Sequence, residues 1–342
     1  PPPAAPHAAA GGAAGPPMEP AQRFAEASRY AGELLVQLAP ALEAFSKEVY
    51  HRDITPRNIQ VSESNGQPSF GLVDFGLAVD AAKWRRQEEG AGDLGGDGRY
   101  WPASAWFVFS YGTQELERHP AMHQEYRTCL DIHSLGLTAL RCFVEMLPSL
   151  ESPAVRAAVP GAERALLALH ALQNAWGRCW SDARRFWQPI YDAFRGTGNF
   201  KELRAAYLSA RVHRIICGDF LALRAALAEA NQACKGAPKS SGLAGVPSLC
   251  DALLLMLQAA QEGEHLATSA LDRCAVDHGK SADVSPASIS TCSGSFDGDG
   301  DDDGRSASSS SAASSPFGGR ACVAARKSPQ RPRAHAADVR SA

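Results

Sequence analysis

The stretch Tyr50-His51-Arg52-Asp53-Ile54-Thr55-Pro56-Arg57-Asn58 decides how this chain is read. Ahead of it, Phe24, Ala27, Ala31, Leu34, Leu35, Leu38, Leu42, Phe45 and Val49 recur at the 3/4 spacing of one buried helix face. Pro40 interrupts that stripe. An interior proline costs about 3 kcal/mol, so a bend is expected there. Behind the stretch lie two short apolar runs, Ile59–Val61 and Phe70–Val73. Between them Asn65-Gly66 is a strong turn signal, and the pair reads as a small hairpin. The second run leads directly into Asp74-Phe75-Gly76.

Further out, residues 80–105 are charged and glycine-rich without a period, which reads as a long loop. Residues 131–147 carry a helical stripe stopped at Pro148. Helical patterns follow at about 161–176, 182–195, 200–216, 219–233 and 248–272, with strands nearly absent beyond the hairpin. Of residues 1–20, 17 are Pro, Ala or Gly, and of residues 285–316, 12 are Ser. Neither end has the apolar side chains that would offset the entropy of ordering it. The expected organisation is a disordered lead at 1–20, a folded unit at 21–197, a helical extension at 198–280 and a disordered tail at 281–342.

The net charge of −3 excludes a globally basic nucleic-acid binder, so no nucleic-acid partner is expected. No apolar run reaches the ~20 residues of a membrane span, so no membrane partner is expected either. The nine cysteines are scattered and odd in number, which fits reduced thiols in an intracellular, cytoplasmic protein. The chain opens on Pro rather than Met, and its start is read as a processed end or a fragment boundary.

His51-Arg52-Asp53 with Asn58 five residues after the aspartate resembles the H-R-D-x-x-x-x-N catalytic loop of the eukaryotic protein kinase family. Asp74-Phe75-Gly76 matches that family's D-F-G element, in the right order and at a strand end. Asp131-Ile132-His133-Ser134-Leu135-Gly136 resembles the Asp-x-Trp-Ser-Leu-Gly start of its central helix. The resemblance covers roughly residues 24–195, the large lobe alone, and implies a mainly α fold with a small β-hairpin at the catalytic loop. It implies a protein kinase using ATP and Mg²⁺, with a protein substrate. Phosphoryl transfer depends on positioning and charge neutralisation, so Asp53 is the expected base. Asn58 and Asp74 are the expected magnesium ligands, as hard oxygen donors. Gly76 is expected to permit an unusual backbone conformation beside the metal ligand. By resemblance, Asp131 holds the catalytic-loop backbone, and His51 stacks with Phe75 in an internal spine. Arg52 is expected to pair with a phosphate at Ser104, Ser110 or Thr113.

The sequence also departs from the family. Thr55 stands where Ser/Thr kinases usually carry Lys, while Arg57 is a tyrosine-kinase feature and Pro56 a Ser/Thr-kinase one; the expected acceptor is Ser/Thr rather than Tyr. Gln60 replaces a Leu of the adenine floor. Gly112-Thr113-Gln114-Glu115-Leu116-Glu117 resembles a compressed end of the activation segment, with Glu115 or Glu117 pairing with Arg184 or Arg185. Upstream of His51 no small lobe is found; Gly90 to Gly95 fits G-x-G-x-x-G but follows the D-F-G element, with no strand before it. A small lobe is expected from an upstream segment or a partner protein. The alternative is an inactive kinase-lobe scaffold for protein–protein interaction. His119, His123, Cys129 and His133 lack the paired spacing of a structural zinc site. Asp297 to Gly304 reads as a solvated acidic tract, since Ser310 stands where a calcium loop needs Glu. The basic tail, with Arg326-Lys327 and Arg331-x-Arg333, reads as a charged terminus, a weak nuclear signal being the alternative.

Overall fold

The computed structural model describes residues 18–86 and 94–257. The expected tail at 281–342, the far part of the extension at 198–280 and nearly all of the lead at 1–20 lie outside the described residues, as do the acidic tract and the basic terminus.

Helix α1 (Pro20–Phe45) starts with proline at its first position, where no intrahelical N–H is lost. Its buried face is the expected stripe of Phe24, Ala27, Ala31, Leu34, Leu35, Leu38 and Leu42. The helix is not divided at Pro40. Both Pro40 and Val36, whose carbonyl loses its helical partner there, are exposed, so water can take the freed acceptor. Strand β1 (Val49–Tyr50) pairs antiparallel with β4 (Val79–Asp80). Strands β2 (Ile59–Ser64) and β3 (Gln67–Leu72) form the expected hairpin, closed by Asn65 and Gly66 with φ of 53° and 73°. These two left-handed residues give the turn a twist that suits the strands. On α1, Gln37 acts as a surrogate strand: its Nε2 donates to the Pro68 carbonyl (2.9 Å) and its Oε1 accepts from the Phe70 N–H (3.0 Å). Phe70 in turn meets Tyr30 edge-on at 5.1 Å.

The segment expected as a loop contains structure. Asp80 caps helix α2 (Ala81–Arg85), accepting from the Lys83 N–H at 2.8 Å. Asp97 caps a 3-10 turn at Gly98–Tyr100. Helix α3 (Ala103–Tyr111) follows, buried from Ala103 to Ser110 on all sides. Polar composition concealed this, because Trp84, Trp101 and Trp106 supply the packing. Short helices α4 (Thr113–Leu116) and α5 (Pro120–Thr128) lead to the central α6 (Leu130–Met146). After α7 (Pro153–Ala158), helix α8 (Glu163–Phe194) runs 32 residues, about 48 Å, where two helices were expected. Cys179 and Ala183 continue its buried face across the anticipated gap.

The break expected near residue 217 falls instead at Arg211, which takes φ 53° between α9 (Phe200–Ala210) and α10 (Val212–Lys235). Helix α11 (Val246–Met256) completes the described chain. Helix α10 lies along α8 and α11, and α11 also meets α1 and α6. The described helices after residue 197 therefore share one apolar core with those before it. Leu169, Leu172, Leu223 and Leu227 are fully buried, each stabilising by roughly 1.5–3 kcal/mol. The fold is mainly α with two small antiparallel strand pairs. No helix among the described residues is long and apolar enough to cross a membrane.

Candidate active site

Helix α6 organises the site through one face. Asp131 in its first turn accepts the main-chain N–H groups of His51 at Oδ2 and Arg52 at Oδ1, both at 2.7 Å. Burial pushes the Asp131 carboxyl above the usual carboxylate range, and the two N–H bonds pull it back. Ser134, three residues on, donates to the Tyr100 carbonyl at 3.0 Å. Thr138, a further turn on, donates to the Ile54 carbonyl at 3.3 Å. Spacing of i, i+3 and i+7 sets all three on one stripe. The loop needs this grip, because Arg52 sits at φ 65° in a conformation disfavoured for a side chain.

Two residues beyond His51, the Asp53 carboxylate is held at both oxygens. Oδ2 accepts from Asn58 Nδ2 at 2.8 Å, and Oδ1 accepts from the Asp97 N–H at 3.0 Å. Asn58 Nδ2 also donates to the Asp53 carbonyl at 2.9 Å. Burial raises the Asp53 carboxyl above its ordinary value; the Asp97 and Asn58 hydrogen bonds oppose that rise. The Val73 N–H donates to the Asn58 carbonyl at 3.0 Å, continuing the β2–β3 ladder and bringing Asn58 beside Asp74. Asp74 is exposed at φ 61°, its Oδ1 accepting from the Gly76 N–H at 3.2 Å. Because the Asn58 nitrogen is committed to Asp53, its amide oxygen is the atom open to a cation. The Asn58 amide oxygen and the exposed Asp74 carboxylate are hard donors of the type that fits Mg²⁺, which takes few protein ligands and keeps several waters. Among the described residues no three His, Cys, Asp or Glu side chains cluster as a metal site, and His119, His123, Cys129 and His133 do not converge.

The expected role of Gly76 passes to its neighbour. The left-handed residue is Asp74, two positions earlier; at Gly76 a Cβ would lie 3.0 Å from Asp74 Oδ1, a tight approach to an exposed side chain. The expected stack of His51 on Phe75 is a tilted contact, with ring centroids 4.7 Å apart and planes at 56°, and His51 Nε2 lies 3.1 Å from the Val73 carbonyl. Phe75 is 43% exposed, so the contact lies at the surface rather than in an internal spine.

Arg52 does not await a phosphate at Ser104 or Ser110. Both serines are buried within α3: the Ser104 N–H donates to Glu125, and Ser110 Oγ donates to the Trp106 carbonyl. Arg52 Nε instead donates to the Leu77 carbonyl at 2.8 Å, with its guanidinium 5.5 Å from the Trp84 ring. Trp84 and Arg127 hold each other reciprocally, Nε1 to the Arg127 carbonyl and Nη1 to the Trp84 carbonyl. Thr113 opens α4, half-buried. Of the two candidate glutamates, Glu115 is buried and pairs with Arg118 (3.0 Å) and His119 (3.9 Å), while Glu117 is exposed. Arg184 is exposed, and Arg185 reaches Asp182 at 3.7 Å.

Sequence reasoning passed over Gly96, Asp97 and Trp84. The doublet Gly95-Gly96 ahead of a capping Asp97 was the available signal, hidden in a stretch read as featureless loop. Compared with models of known families, with curated proteins and with solved structures, the chain matches none.

Proposed function

We propose that this chain is the large-lobe part of a protein-kinase-like phosphotransferase, acting on a protein hydroxyl. The observation that carries the reading is the Asp131 clamp: one buried carboxylate takes two successive main-chain N–H groups and thereby sets Asp53, with Asn58 and Asp74 joined to it through the strand pair. Such prepositioned polar groups are what transfer of a phosphoryl group asks of a protein. Mg-ATP, when bound, supplies the γ-phosphoryl group and neutralises its charge. Asp53 orients the acceptor hydroxyl and takes its proton as the new O–P bond forms and the bond to the ADP oxygen breaks. Asn58 and Asp74 are the residues that would hold the metal. Intracellular residence accords with the free thiols of the six described cysteines.

A scaffold without catalysis is the second reading, favoured by the engagement of both Asp53 oxygens by the protein's own donors. The two separate by experiment. Transfer of labelled γ-phosphate from Mg-ATP to the chain or to a generic protein substrate is expected, and Asp53→Asn should abolish it. Mg-ATP should also raise the melting temperature, by an amount set by its concentration over Kd. Neither transfer nor a melting shift, with Asp53→Asn indistinguishable from the parent, overturns the enzyme reading in favour of the scaffold.

A further inference from the structure

Asp97 lies outside every sequence motif, yet it ties together three parts of the candidate site. Its N–H donates to Asp53 Oδ1 at 3.0 Å. Its carboxylate receives Arg57 Nη2 at 3.1 Å and a fork from Arg99, Nε at 3.0 Å and Nη2 at 2.6 Å. Arg57 itself stands between Asp53 and Asn58 in the catalytic loop. One residue thus joins the 95–97 strap to the loop twice, by its main chain and by its side chain. The carboxylate is buried, so these charge-assisted bonds are little weakened by water. Gly96 takes φ +78°, and a Cβ there would lie 2.1 Å from the Arg52 carbonyl oxygen and 3.1 Å from Asp53 Oδ1. The strap therefore presses on the loop more closely than any side chain allows. On its other side, Trp101 Nε1 donates to the Gly95 carbonyl at 2.8 Å. A cap for the Gly98–Tyr100 turn alone would require neither Arg57 nor Asp53.

We infer that Asp97 is a positioning residue for Asp53. The Arg57–Asp97–Arg99 clasp holds the strap so that one Asp53 oxygen is fixed by the Asp97 N–H and the other by Asn58. Each oxygen keeps a second lone pair, so the carboxylate presents one orientation to an acceptor hydroxyl without losing its capacity to take the proton. The catalytic part of this inference rests on the phosphotransfer reading; the clasp itself does not.

The test uses the full chain, with hydrogen exchange read at the amide of residue 97 alongside phosphate transfer. Asp97→Ala keeps the N–H but removes the clasp. Exchange at that amide should accelerate by about tenfold or more, with α8 and α10 unchanged. In the transfer assay kcat should fall about tenfold while KM for ATP stays within about twofold. Asp97→Asn, which keeps a capping oxygen, should recover part of both effects. Should Asp97→Ala fail to fold, Arg57→Gln removes one arm only and should still accelerate exchange at residue 97. Unchanged exchange in Asp97→Ala, or in Arg57→Gln where the first does not fold, overturns the clasp whether or not the chain transfers phosphate. A KM effect without a kcat effect overturns the positioning role. Accelerated exchange in Asp97→Ala, where the parent chain itself transfers no phosphate, upholds the clasp and removes the phosphotransfer reading.

Discussion

The loop around Asp53 and the α8–α10 pack are held by opposite means. In the first, side chains of α6 bond to main-chain groups of the loop, so location depends on a few directional contacts. In the second, Leu169 and Leu172 of α8 and Leu223 and Leu227 of α10 are fully buried where the two helices pack, and location depends on buried area with no particular atom essential. A directional anchor specifies orientation to a fraction of an ångström, as a proton acceptor needs. A leucine seam draws its stability from summed area and tolerates repacking. Mutations should separate the two.

The largest effect belongs to Asp131→Ala. It strands two buried N–H groups and releases a left-handed Arg52, so unfolding free energy should fall by roughly 4–5 kcal/mol in urea denaturation. Any phosphate transfer should vanish with it. Asp131→Asn keeps one acceptor and should lose about half as much. Leu227→Ala attacks the other region. Its cavity should cost roughly 3–4 kcal/mol, while hydrogen exchange from His51 to Asn58 remains as slow as in the parent. Accelerated exchange in that loop after Leu227→Ala would break the comparison, since the seam would then also be positioning the site.

The same contrast explains what could be read from the residues alone. Around Asp53 the chemistry is carried by residue identity at fixed steps, so Asp53, Asn58, Asp74 and Asp131 could be singled out without knowing any helix boundary. In the helical half only periodicity was available. Periodicity gives a buried face but says little about where a helix stops, which is why α8 read as two helices and the α9–α10 break at Arg211 was placed six residues late. The helices of the 80–105 segment were illegible for another reason. Their stability comes from caps at Asp80 and Asp97 and from tryptophans that bury against distant elements, none of which leaves a local period. Asp97 was missed because its role depends on Arg57, forty residues earlier, and on a main-chain N–H that has no signature in sequence.

Glu125 sharpens the comparison, being a buried carboxyl with a weaker anchor than Asp131. Its Oε2 accepts the Ser104 N–H at 3.1 Å, and burial pushes its carboxyl up to about 7. The folded protein therefore retains a proton that the unfolded chain gives up near the ordinary glutamate value. Stability from this group is full below about pH 4.5 and is lost as pH rises through 7, by on the order of 3 kcal/mol. Glu125→Gln should flatten the urea midpoint between pH 5 and 8. Burial acts oppositely on His133 and His213, holding them down to about 3 and about 4, so the acid-side loss of stability should persist in that variant.

The smallest effect tests the hairpin, the one element where local chemistry alone suffices. Gly66 closes the β2–β3 turn at φ 73°, and a Cβ added there would meet nothing within 4 Å. Gly66→Ala therefore costs only the left-handed conformation, about 1 kcal/mol, without steric collision. The register that sets Asn58 across from Val73 is anchored at the open end of the hairpin by the bond from Val73 to Asn58, and along β3 by Gln37 on α1, which holds Pro68 and Phe70. A fall of about 1 kcal/mol with unchanged exchange at the Val73 amide is the expected outcome. Loss of protection at Val73 would mean that the turn, and not the α1 edge, carries the alignment of the two candidate metal ligands.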